Sequence, residues 1–157
     1  MKTLLTLYSR FAALTSYLQS PFLLVVRLYW GWQFVQSGWG HLRHLDKVTD
    51  FFTTLQVPLP SVTAPCVSTL EFVGGILLIL GLGSRLIGFL LTINMLVAYW
   101  TADRDALTSV FSDPGKFYNA DPYTFLFAAA MIMIFGAGLF SLDALLAKRY
   151  GAWIEKQ

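Results

Sequence analysis

Arg27 and Glu71 are opposite charges set inside apolar runs, Pro21 to Ser37 and Ala64 to Leu82, each close to the length that crosses a bilayer. A lone ionised group in hydrocarbon costs at least about 3 kcal/mol, so such residues face the interior of a bundle and take partners. Two roles are open to the pair. It can be a polar clasp that fixes helix register, or a centre that shapes a ligand site or passes protons, with Glu71 the group able to change charge.

Spacing puts further groups beside each charge. Arg27, Gly31, Phe34, Gly38 and His41 recur at steps of four, three, four and three residues and so share one helix face. Glu71, Gly75, Leu78, Leu82 and Arg85 do the same on the second run, and Gly74 beside Gly75 allows close backbone approach. Gly31, Gly38, Gly74 and Gly75 are therefore read as helix-packing positions, and both stripes are expected to face inward. At about 1.5 Å per residue, Arg27 lies roughly 9 to 14 Å from the cytoplasmic edge, depending on where its span begins, Glu71 about 17 Å from it, and Asn94 about 10 to 13 Å into the third helix. These depths predict a buried polar centre of Arg27, Glu71 and Asn94.

His41 and His44, three residues apart, could begin a metal or haem site. No third ligand with firm spacing and no thiolate cluster accompanies them, so no metal is expected. They are assigned instead to a polar outer mouth with Gln33, Gln36 and Tyr118, a setting that suits a quinone headgroup, which needs a flat apolar slot and a few hydrogen-bond donors. The single cysteine, Cys66, offers no disulfide or dithiol chemistry and is read as a buried, inert thiol. The chain carries no nucleotide-binding glycine motif and no iron–sulfur cysteine pattern, so catalysis by this chain alone is not expected.

The elements that must hold these residues follow from hydropathy. The 157 residues are 56% hydrophobic and 13% charged, against about 25% charged for a soluble domain, and the mean hydropathy is +0.60. The excess apolar surface calls for lipid and excludes nucleic acid as a partner. Four spans are expected, at residues 21–37, 64–82, 86–100 and 122–139, in one all-α membrane domain covering residues 1–157, an integral four-helix bundle. Leu4, Tyr8, Phe11, Leu14 and Leu18 fall at helical spacing and predict an interfacial N-terminal helix; polar interruptions and the lack of a small-residue cleavage site argue against a signal peptide. A second interfacial helix is expected around Leu42 to Leu55, ended by Pro58, Pro60 and Pro65, which leave an extended entry into the second span. A third follows at the C-terminus, from Leu142 through Leu145, Leu146 and Tyr150 to Trp153.

The short Gly81 to Arg85 turn makes the second and third spans antiparallel neighbours, the firmest contact the sequence predicts. The polar segment from Thr101 to Asp121 is a binding loop, a lid or a solvated loop, with Phe111, Phe117 and Tyr118 to dock it. One side of the membrane collects Lys2, Arg10, Arg85, Lys148, Arg149 and Lys156 against Asp143 and Glu155, while the other carries four basic residues against six aspartates. Basic residues are retained inside, so both termini are expected in the cytoplasm.

The Arg27 position, the SGWGHLRHL segment from Ser37 to Leu45 and above all EFVGGILLILGLGSR from Glu71 to Arg85 resemble the DoxX family of small bacterial and archaeal membrane proteins. The likeness runs from about Pro21 to Phe140. It implies a four-helix bundle in the inner (plasma) membrane, and relatives that serve as quinone-linked or oxidative-stress subunits of oxidoreductase complexes. A Lys commonly stands in the family where this chain has His41. The resemblance therefore implies a membrane or quinone-interacting subunit of a redox complex, with a soluble redox partner or a second copy of the chain as its associates and a quinone as the candidate cofactor. A non-enzymatic scaffold for a soluble partner and, less readily, a small transporter are the competing functions.

Overall fold

The computed structural model describes residues 2–154, and every regular element among them is a helix. Glu155 and Lys156 of the charge count, and the side chains of Lys2 and Trp153, lie outside the described residues. Helix α1 runs unbroken from Lys2 to Arg43 with Pro21 inside it. The N-terminal segment is thus continuous with the first span, not a separate helix lying across its end. A proline removes one backbone bond, but in apolar surroundings the remaining groups find partners only in the helix.

The backbone leaves the helical region at His44, and α2 (Leu45–Thr54) follows. It turns Val48 and Phe52 toward the bundle and leaves Asp46, Lys47 and Asp50 exposed. Helix α3 (Pro60–Leu80) begins earlier than the apolar run suggests. Pro60 opens it, where a missing N–H is no loss, and Pro65 sits within the next turn, so no extended entry precedes the span. Helix α4 (Ser84–Thr101) is joined to α3 by Gly81 and Gly83, both at positive φ (+69° and +60°).

The polar segment after α4 folds into two short helices, α5 (Arg104–Thr108) and α6 (Pro114–Asn119). Helix α7 (Pro122–Phe135) stops short of Leu139, because Gly136 and Gly138 turn the chain at positive φ. Its 14 residues reach about 21 Å, less than a hydrocarbon core. The chain closes with α8 (Leu142–Ile154). Helices α1, α3 and α4 are long and apolar enough to cross a membrane.

Two pairs carry most of the packing, α1 against α3 and α4 against α7; α3 and α4 touch less, despite the tight turn between them. Glycines explain the ranking. A methyl group on Gly38 would meet the Ser68 carbonyl oxygen at 2.7 Å, and one on Gly75 would meet the Gly31 carbonyl oxygen at 2.6 Å. On the other pair, Gly88 would put a methyl 2.8 Å from the Met133 nitrogen. Gly74 faces α4 with more room, its nearest neighbours being Leu91 and Ile87 at 3.4 to 3.5 Å.

The apolar balance is inverted relative to a water-soluble core. Leu28, Trp32, Ile76, Leu90, Val97 and Phe127 point outward, while Arg27, Ser68, Glu71, Thr92 and Asn94 are buried beside Phe34, Leu78, Leu91 and Ile132. Outward apolar side chains meet lipid at no cost, and inward polar groups bond across helices or back to their own helix, as Ser68 does to Ala64 and Thr92 to Gly88. The protein is an all-α membrane protein.

Candidate functional site

Glu71 is 5% exposed and forms the centre of a polar floor where α1, α3 and α4 meet. The Asn94 amide donates to its Oε1 at 3.0 Å, and the Ser37 hydroxyl donates to its Oε2 at 3.0 Å. His41 brings Nδ1 to 3.2 Å from the same Oε2. The packing register produces this set: with Gly38 against Ser68 and Phe72, and Gly31 against Gly75, the residue of α3 opposite Ser37 is Glu71. His41 stands one turn further along α1, with a side chain 42% exposed against 6% for that of Glu71. It therefore links the buried carboxyl group to the outside.

Above this floor lies a cavity of about 530 Å³ in the looser seam between the two helix pairs. Its walls are apolar: Phe34 and Phe125 from α1 and α7, Phe51 and Phe52 from α2, and Met95 from α4. Phe34 and Phe125 meet edge to face at 4.8 Å. Asp103 and Asp121 stand near the opening, at the starts of α5 and α7. The volume falls within the range of small-molecule sites, and a few convergent polar groups in an apolar slot are what such sites share.

Arg27 does not join this floor. It is 1% exposed and sits near the α3–α4 turn, where its Nη2 donates to the Phe140 carbonyl oxygen at 2.7 Å and its guanidinium lies against Gly81. Gly81 is about 15 Å along α3 from Glu71 at the helical rise. The expected triad fails because the glycine contacts set the register of α1 on α3: they put Arg27 level with Gly81 and Ser37 opposite Glu71. The neighbouring acidic group is Asp143, the second residue of α8. Its carboxylate accepts the backbone N–H groups of Gly83 (2.7 Å) and Ser84 (2.8 Å), capping α4. Burial pushes the Asp143 carboxyl up, but these amides and the Arg27 charge outweigh it and hold the group below its ordinary range. The Gly-Leu-Gly-Ser-Arg motif is thus the seat of a second polar cluster, and Arg85 at its end is exposed, not inward.

The expected outer mouth is also redistributed. Of its members, His41 lines the cavity and Gln33, Gln36, His44 and Tyr118 do not. Gln36 and Tyr118 are exposed, Gln33 is half-buried, and the His44 Nδ1 lies 3.1 Å from the Gly40 carbonyl oxygen of its own chain segment. Helical spacing placed His44 beside His41, but the chain leaves the helix at that residue. Among the described residues no group of three metal-ligating side chains occurs. Cys66 is exposed, not buried.

Two contributors carried a weak signal in the sequence. Ser37 was visible as part of the SGWGHLRHL segment and lies four residues before His41, the spacing that puts both on one face. Tyr99 is fully buried, stacks on Phe117 at 5.0 Å and donates its hydroxyl to the Phe117 carbonyl oxygen at 2.7 Å, pinning the α5–α6 segment beside the opening. Phe117 is one of the three aromatics expected to dock that loop; Phe111 instead stands 96% exposed.

A family model described as DoxX matches residues 22–104, a stretch that contains Ser37, His41, Glu71 and Asn94 together with Arg27. No curated protein and no solved structure matches the chain.

Proposed function

The chain belongs to the DoxX family, and from that premise we propose that it is a membrane-embedded, quinone-interacting subunit of a redox complex in a bacterial or archaeal plasma membrane. The observation that carries the reading is the cavity over Glu71: apolar aromatic walls wide enough for a ring, over a floor of Ser37, His41, Glu71 and Asn94. A ring headgroup would seat between Phe34, Phe125 and the α2 phenylalanines, with its oxygen toward the floor. Hydrogen bonds to a carboxylate in low dielectric are stronger than neutral ones, so Glu71 would fix the orientation.

With both termini in the cytoplasm, as the basic residues favour, the cavity opens to the outer side. His41 would then connect Glu71 to outer water. A soluble redox partner would meet the α5–α6 segment, whose Phe111 gives a scaffolding role its own support. The test is binding by the purified protein in lipid nanodiscs, titrated with a decyl-tailed benzoquinone and its hydroquinone. Saturable binding is expected, and Glu71→Gln should weaken the tighter-binding form about tenfold or more. Absence of saturable binding by both forms overturns the reading.

A further inference from the structure

The polar floor is organised around an acceptor, the Glu71 carboxyl group. Ser37, Asn94 and His41 each direct a polar atom to Glu71. A carboxylate offers about four lone-pair positions, and the bonds present leave Oε1 with a single donor, the Asn94 amide. The charged lining is acidic as well: Asp103 and Asp121 stand at the opening, and among the described lining residues none is Lys or Arg. A ligand carbonyl brought to this floor would set its own lone pairs against those of Glu71. A ligand hydroxyl would complete the acceptor instead.

We propose that the cavity selects a neutral aromatic alcohol, a hydroquinone or phenol, over the corresponding quinone and over anions, with its O–H donated to Glu71 Oε1. The proposal rests on the ring-binding reading above and adds the redox form that is held. It requires no electron transfer at the site: the ligand stays a neutral hydroquinone, the bond formed is O–H···O, and the aromatic walls supply contact that both redox forms share.

The two forms of the decyl-tailed benzoquinone differ by two hydrogens, which isolates the donor. Anaerobic titration of wild-type protein in nanodiscs should give a Kd for the hydroquinone about tenfold or more below that for the quinone. Salicylate, a ring bearing a negative charge, should not compete at concentrations where phenol does. Glu71→Gln, which keeps an acceptor but adds a donor, should bring the two affinities within about threefold, chiefly by weakening the hydroquinone. The wild-type comparison stands even where that variant fails to fold. Equal affinities, or tighter binding of the quinone, overturn this inference and leave ring binding intact; binding of neither form overturns the ring-binding reading itself.

Discussion

Arg27 and Glu71 should be energetically independent, though every simple reading of a charged pair in an apolar chain joins them. With Arg27 against Gly81 and Glu71 about 15 Å further along α3, a Coulomb estimate at an effective dielectric of 20 gives about 1 kcal/mol between full charges. In direct contact at 4 Å the same estimate gives about 4 kcal/mol. A double-mutant cycle of Arg27→Met and Glu71→Gln, read from reversible unfolding in mixed micelles, should therefore show a coupling of about 1 kcal/mol or less. A second cycle of Arg27→Met and Asp143→Asn should show the larger coupling, because Asp143 is the carboxylate whose ionisation Arg27 assists. Each single variant will still destabilise: Arg27→Met strands the Phe140 carbonyl oxygen, and Glu71→Gln disturbs three contacts at once. A coupling of about 3 kcal/mol or more between Arg27 and Glu71 would refute the separation of the two clusters, and with it the packing register that sets them apart.

Glycine substitutions test that register directly. Gly38→Ala should cost about 1 to 3 kcal/mol, because its methyl would press on the α3 backbone, whereas Gly74→Ala, with 3.4 Å of clearance, should change unfolding free energy by less than about 0.5 kcal/mol. Asp143 predicts a pH effect. Its carboxyl is held below its ordinary range in the fold, so its contribution is present above the unfolded value near 4 and is lost as pH falls through the lower folded value. Thermal melts in detergent should lose stability on acidification below about pH 4, and Asp143→Asn should flatten that slope. Tyr99→Phe removes the bond to the Phe117 carbonyl oxygen and should cost about 1 kcal/mol, with faster amide exchange confined to residues 102–121.

What the sequence made legible was composition and face; what it hid was origin and register. The inward faces of α1 and α3 were readable, because a helix fixes which residues share a side, and Gly31, Phe34, Gly38 and Gly75 are buried accordingly. Asn94 as a partner of Glu71 was readable too, since a buried amide and a buried carboxyl in neighbouring spans have few alternatives. Arg27 is misplaced because depth along a helix needs an origin that an apolar run does not supply: α1 has no end at Pro21, and its contacts with α3 set Arg27 level with Gly81. His44 was misplaced for a related reason: periodicity carries a face onward until the backbone leaves the helix, and His44 is where it leaves. In both cases the pattern was right and its frame was not.

That distinction bears on how the two polar clusters work together. The glycines that bring α1 against α3 fix the height of Ser37 and His41 relative to Glu71, and the same register drops Arg27 onto Gly81. At Gly81 a side chain is doubly excluded, by a φ of +69° and by the guanidinium lying against it. Phe140 and Asp143 then tie the far end of the chain to that turn. A slip of α1 along α3 by one turn, about 5.4 Å, would break the Arg27 bond and move His41 off Glu71 together. The cluster at the turn therefore holds the alignment on which the floor of the cavity depends. Substitutions at Gly81 should consequently weaken ligand binding over Glu71 as well as stability, whereas Gly83, at positive φ but with open space around it, should affect stability alone. Gly81→Ala and Gly83→Ala compared at equal folded fraction separate the two effects, and equal loss of ligand affinity in both would show that the turn does not set the height of the floor.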